Sequence, residues 1–233
     1  MQFWDLLIIS FFISKIDANG LWKDDSGDHD FESIRYDDHL YDRRINLMTT
    51  IATPEETATT TWNIDPVHSH AEFKVKHMMI SNVKGEFKGI KGTLKLNRAD
   101  STQSEVEISI DAATVDTGDA QRDGHLKSGD FFDVEKFPVV TFTSSRFVKN
   151  TNGTITVSGD LTIHGVTRNV DLEVEGPSAP MKDPWGNTRI GLSAIARINR
   201  KDFGLTWNAA LETGGILVGE EVNITLDVQF IKA

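Results

Sequence analysis

From Trp62 to Lys232 apolar and polar residues alternate in one segment after another with a period of two. Ala71, Phe73, Val75 and His77 alternate with His70, Glu72, Lys74 and Lys76, which places the two sets on opposite faces of a strand. After a turn at Met79 to Asn82, the residues Val83, Gly85, Phe87 and Gly89 share one face against Lys84, Glu86 and Lys88. Then the phase slips. From Ile90 the apolar set is Ile90, Gly92, Leu94 and Leu96, so one extra residue has entered, and a bulge or sharp bend at Gly89 is predicted, as where a sheet curls towards closure.

The alternation returns at Val106 to Ile110, at Ile155 to Ile163 and at Val166 to Val174, the last two joined as a hairpin through His164-Gly165. Further strands are predicted at Val139 to Ser144, Arg189 to Asn199 and Glu221 to Ile231. In the last of these Val222, Ile224, Leu226, Val228 and Phe230 share a face. Only Asp119 to Asp130, followed by Phe131 and Phe132, breaks the period. It predicts one or two short helical turns beside a strand end, placed to cap an opening.

Eight or nine amphipathic strands without a long amphipathic helix to cover them must fold on themselves or split into two packed sheets. Closure also removes exposed edges. The expected fold is therefore all-β, an extended antiparallel eight-stranded β-barrel with one or two short helices. Its outward faces carry Glu, Lys, Asp and Thr with no lipid-facing apolar band, which excludes an outer-membrane barrel. A barrel of this size is either filled by side chains or holds one small ligand. Gly85, Gly89, Gly92 and Gly159 fall in inward phase and carry two readings, relief of crowding at bends or unfilled volume. The small inward residues Ala194 and Ala196 favour the second.

Residues 1–60 share none of this pattern. The apolar run Phe3 to Ile13 is interrupted by Asp5 and is about half the roughly 20 residues of a spanning helix. As a secretory signal it lacks a basic start, and Ile16-Asp17-Ala18 is a poor cleavage site. The Asp-dense stretch Lys23 to Arg44 and the Thr-rich stretch Thr49 to Thr61 read as a disordered extension and linker. Residues 61–233 are left as the barrel domain. Met48 is an alternative start, which would make the protein cytoplasmic, whereas a working signal in residues 1–18 would make it periplasmic or secreted.

Composition narrows the classes. A net charge of −11 over 233 residues excludes nucleic acid as a partner and disfavours an anionic membrane surface. The absence of cysteine excludes disulfides, thiolate nucleophiles and thiolate-bound metals. His68 and His70 share a strand face near Asp65, but two imidazoles do not make a zinc site, and such residues at strand starts commonly serve turns. His77 is expected as a hydrogen-bonded histidine near the barrel end, and His125 in a salt-bridge and capping network with Arg122, Asp123 and Asp130. Ser69 lacks a nucleophile elbow and an oxyanion loop. No catalytic residue, metal or cofactor is expected.

Four segments together, WNIDPVHSHAEFKVKHMMISNVKGEF at Trp62, QRDGHLKSGDFFDVEKFP at Gln121, GDLTIHGVTRNVDL at Gly159, and INRKDFGLTW with GGILVGEEV from Ile198, carry a resemblance. The region from about Trp62 to Lys232 resembles the YceI-like, polyisoprenoid-binding family. The resemblance implies a lipocalin-like barrel whose apolar pore holds a long-chain isoprenoid lipid or the tail of an isoprenoid quinone, without catalysis. Residues 1–61 have no counterpart in it. Phe73, Val75, Phe87, Ile108, Ile110, Phe142, Leu192 and Ala194 are expected to line the channel, with Phe131, Phe132 and Trp207 near a mouth. A second copy of the barrel is an open alternative as partner. The rival from another class is a filled barrel that acts on a protein through its acidic outer surface.

Overall fold

The computed structural model describes residues 59–211 and 215–233. The expectations for the signal, the Met48 start and the disordered extension lie outside the described residues. Among the described residues twelve strands and one α-helix follow in order: β1 (Thr60–Ile64), β2 (His70–His77), β3 (Ser81–Phe87), β4 (Ile90–Leu96), β5 (Glu105–Asp111), β6 (Val115–Asp116), α1 (Ala120–Lys127), β7 (Val139–Lys149), β8 (Ile155–Ile163), β9 (Val166–Glu175), β10 (Met181–Lys182), β11 (Thr188–Asn199) and β12 (Val218–Lys232).

Twelve strands make an eight-stranded barrel because three of its staves are each built from two. β1 and β2 lie end to end along β12, with Ile64 opposite Phe230 and Ala71 opposite Leu226. β3 pairs with β2 and β4 with β1, so they form the next stave. β5 and β6 form the third, against β4 and β3. From β5 the ring runs through β7, β8, β9, β11 and β12, antiparallel throughout, and the β11–β12 pairing closes it. β10 extends the edge of β11 by two residues.

Each break within a stave has a side-chain cause. Between β1 and β2 the Asp65 carboxylate accepts from Val67 N at 3.0 Å, and the Ser69 hydroxyl replaces a backbone group in the ladder. That hydroxyl accepts from Gln229 N at 3.1 Å and donates to Gln229 O at 3.3 Å. The bend predicted at Gly89 is present: Lys88 N and Gly89 N both donate to Thr114 Oγ1, at 3.2 and 3.1 Å. A Cβ at Gly89 would lie 2.8 Å from the Asp111 Cβ, so close approach requires glycine there. Between β5 and β6 the Asp111 carboxylate accepts from Ala113 N at 2.9 Å and caps a single 3-10 turn, Ala112–Thr114, which makes the bend.

The other strands follow the apolar period closely. β7 runs five residues beyond its predicted end, through a bulge between Ser144 and Arg146 that lets both Phe142 and Phe147 point inward. The β8–β9 turn has His164 and Gly165 at φ of 53° and 72°, the left-handed pair that a two-residue hairpin turn demands. The Asp119–Asp130 segment holds one helix, α1, whose N-cap Asp119 accepts from Arg122 N at 2.9 Å.

The interior is not filled evenly. At the end where β1 meets β12 and β4, large side chains close on one another: Trp62 and Phe230 are 2% and 1% exposed, and Leu94, Leu96, Val106, Phe147, Ile190 and Val228 are buried with them. This is a packed core. At the other end, enclosed by β2, β3, α1 and the start of β12, the same inward phase surrounds open space.

Candidate functional site: a cavity in one half of the barrel

The space has a volume of about 770 Å³, inside the range of cavities that enclose a small organic ligand. Its wall is mostly apolar. β2 and β3 contribute Phe73, Val75, Val83 and Phe87, β5 contributes Ile108 and Ile110, and β12 contributes Val222 and Ile224. Toward α1 the lining changes character, since Asp119, Gln121 and Arg122 border the cavity and are exposed to solvent. That rim is where the cavity reaches water.

Aromatic rings form two groups. Phe73, Phe87 and Phe132 follow one another at centroid separations of 5.8 and 5.6 Å. Opposite them, His125 stands edge-on between Phe131 and Trp207, at 5.0 and 4.6 Å. Its Nε2 lies 2.9 Å from Asp130 Oδ2. The expected pairing of His125 with Asp130 is thus present, while Arg122 and Asp123 are bound instead to Thr117. The edge-on packing of His125 between two aromatic rings carried no signal in the sequence, because Trp207 is 82 positions away.

The inward glycines act through the phenylalanines. A Cβ at Gly85 would lie 2.4 Å from Phe73 Cζ, and one at Gly159 would lie 2.5 Å from Phe142 Cζ. Each ring therefore folds over a bare stretch of neighbouring backbone. Glycine leaves no void of its own here, but it lets a large ring lie against the wall instead of crossing the lumen. Gly92 has a different cause, since its Cβ would meet Glu107 O at 2.4 Å.

Arg200 is the one buried cation among the described residues, 3% exposed and bordering the cavity. Its Nε donates to Gly219 O at 2.8 Å, Nη1 to Leu205 O and to Trp207 O at 2.9 Å, and Nη2 to Val218 O at 3.2 Å. Burial lowers its pKa from the ordinary guanidinium value, and the charge of Glu220 opposes that. Four backbone carbonyls satisfy most of its donors. The guanidinium thus holds the Leu205–Trp207 segment to the start of β12 and fixes Trp207 at the wall.

Of the expected lining residues, Phe73, Val75, Phe87, Ile108, Ile110, Phe131, Phe132, Phe142 and Trp207 do border the cavity. Leu192 and Ala194 do not. They face inward as predicted, but at the height of the packed core, where Leu192 sits opposite Val228 and Ala194 opposite Val174. Two residues further along β11, Ala196 and Ile198 reach the cavity instead. Val170, Ile163 and Leu205 also line it, and the inward phase of their strands was the available signal for the first two.

His77 borders the cavity at the barrel end, but its ring makes no hydrogen bond among the described residues, contrary to expectation. His68 Nδ1 lies 2.8 Å from Asp65 Oδ2, at the packed end. There Arg189 binds Asp65 through Nη1 and Asp183 through Nε, the latter at 2.8 Å. The Arg189 hydrogen bond, reinforced by His68 and Val67 N and opposed by burial, holds the Asp65 carboxyl at about 2, below the ordinary 3.8. Arg189 occupies the carboxylate that a metal would need. Among the described residues no cluster of three metal-ligating side chains occurs, and no helix is long and apolar enough to cross a membrane.

A closed eight-stranded antiparallel barrel, solid at one end and enclosing an apolar cavity at the other, defines a β-barrel of the binding type. The chain belongs to the YceI family: the YceI-like domain matches residues 62–230. A UPF0312 protein of Staphylococcus aureus is 33% identical over 171 residues, covering 73% of this chain and 97% of that protein. The crystal structure of a YceI protein of Campylobacter jejuni is similar with a TM-score of 0.57 and 31% identity, over 68% of this chain and 90% of that one. A polyisoprenoid binding domain from Saccharophagus degradans has the same fold, with a TM-score of 0.54 and 20% identity over 76% of this chain and all of that domain.

Proposed function

We propose that the hollow half of the barrel binds a long apolar lipid, a polyisoprenoid or the isoprenoid tail of a quinone, and carries or sequesters it without altering it chemically. The observation that carries this reading is the apolar cavity of about 770 Å³ with its polar rim at α1. Burial of the chain supplies the driving force, roughly 25 cal/mol per Å² of apolar surface removed from water. Part of that is lost to ordering a flexible guest. The exposed polar rim leaves a head group in contact with water, so selectivity resides in the tail. A barrel filled throughout, which the rival reading requires, does not describe this half of the molecule. The name of the Saccharophagus degradans domain points the same way at the level of the fold.

Native mass spectrometry of the purified protein, with lipid extraction and titration of polyprenols of increasing length, tests this. The expected result is a stoichiometric apolar ligand and an affinity that rises with chain length and then levels off once the cavity is full. Protein that emerges free of lipid and binds no added polyprenol overturns the reading.

A further inference from the structure

The tip of the β2–β3 hairpin contradicts what water would select. Met78, Met79 and Ile80 join His77 to its cross-strand partner Ser81, and Ile80 N donates to His77 O at 3.1 Å. Met78 and Met79 have φ of 50° and 62°. This left-handed region favours Gly, Asn and Asp, and any other side chain held there is strained. The side chains are also uncovered, with Met79 61% and Ile80 80% exposed. An Asn-Gly pair would satisfy the same turn without strain or apolar exposure.

Below the tip the outward charges are sorted by height. The cross-strand pairs in order are Glu72 with Glu86, Lys74 with Lys84, and Lys76 with Asn82, after which the apolar tip begins. Like charges directly opposite destabilise a strand pair, yet Lys74, Lys76 and Lys84 make no salt bridge among the described residues. An apolar apex above a cationic band matches the profile of an anionic bilayer, whose acyl boundary accepts Met and Ile while its head groups attract the lysines. Residues 59–233 hold 23 Asp and Glu against 19 Lys and Arg, so the barrel outside this hairpin is net negative and is weakly repelled by such a surface, which favours approach hairpin first. Summed charge disfavours the membrane; its local order at this tip does the reverse.

The tip also adjoins the cavity. Met78 N donates to Leu217 O at 2.7 Å, and His77, Val83, Leu217 and Val218 border the cavity. We propose that the β2–β3 tip is a docking element that seats the cavity on an anionic phospholipid surface. Its purpose, loading and unloading the guest, rests on the lipid-carrier reading, whereas its evidence does not.

Co-sedimentation of the full chain with vesicles of phosphatidylcholine, alone or mixed with phosphatidylglycerol, tests the proposal. The protein is expected on the anionic vesicles and to leave them as salt rises. Lys74→Gln with Lys84→Gln is expected to weaken partitioning roughly twenty-five-fold, about fivefold per lysine, and to flatten the salt dependence. Met78→Asn with Met79→Gly, which suits the turn, is expected to be at least as stable as wild type and yet to dock less. Both pairs should bind detergent-solubilised polyprenol as wild type does. Loss of polyprenol binding in wild type with vesicle docking intact would count against the carrier reading alone. No binding of wild type to anionic vesicles, or binding unchanged by both pairs, overturns the docking proposal, including the case in which the tip engages a protein.

Discussion

The two halves of this barrel share one alternation and reach opposite results. Along β12, Val228 and Phe230 are buried in solid core, while Val222, Ile224 and Leu226, in the same phase, line open space. Along β11 the change comes between Ala194 and Ala196. The difference lies in what stands opposite. In the packed half Trp62, Phe147 and Phe230 are buried together in one core, whereas in the hollow half Phe73 and Phe142 are folded over Gly85 and Gly159. Two stave breaks, Asp65–Ser69 and Lys88–Gly89, fall at this boundary, separating Trp62 and Ile64 from Phe73 and Val75, and Leu94 from Phe87. A cavity here is a property of height along the barrel, not of which face a residue takes.

The largest expected effect comes from the solid end. Phe230→Ala should cost about 3–5 kcal/mol, the transfer free energy of the ring together with the void it leaves. Ile224→Ala, six residues away on the same face, enlarges a space that already exists and should cost about 1 kcal/mol. Urea denaturation of the two variants checks the contrast. Equal losses would show that the hollow half is as tightly determined as the packed one.

Overfilling sharpens the same boundary within two residues of β11. Ala194→Trp forces a large ring into close-packed core and should cost about 1–3 kcal/mol or more. Ala196→Trp should leave the denaturation midpoint nearly unchanged while displacing lipid, so that polyprenol titration shows loss of binding in a folded protein. If both variants unfold, or both bind normally, the boundary has been misplaced.

That boundary was the part of the molecule least legible in the sequence. A period of two reports which face a residue takes, so the strands, the closure and the inward sets could be read directly. The phase slip after Phe87 marked the bend at Gly89 for the same reason. Height is another matter, because it depends on register between strands far apart in sequence. Leu192 and Ala194 were therefore assigned to the right face and the wrong level. β6 and β10, with two residues each, are too short to carry a period, and Arg200 gave no sign of burial because carbonyls from segments up to 19 residues away satisfy it. The inward glycines were legible as positions but not in effect, since the rings that cover them come from neighbouring strands.

The smallest expected effect concerns acid, at the packed end alone. Arg189 holds the folded Asp65 carboxyl at about 2 against an ordinary 3.8. A carboxylate with a depressed folded value stabilises fully above its unfolded value, and that contribution fades as pH falls through the folded one. The window is therefore roughly pH 4 down to 2. Asp183, also bound by Arg189 and also held at about 2, titrates over the same range, so Asp65→Asn removes only part of the dependence. Wild type should lose stability on acidification through this window, and Asp65→Asn should start less stable and lose less. The cavity wall contains no part of this clamp, so polyprenol affinity at neutral pH should be the same in both proteins. A substitution at Asp65 that weakened lipid binding as much as it weakened acid stability would mean that the solid end and the hollow end respond as one unit.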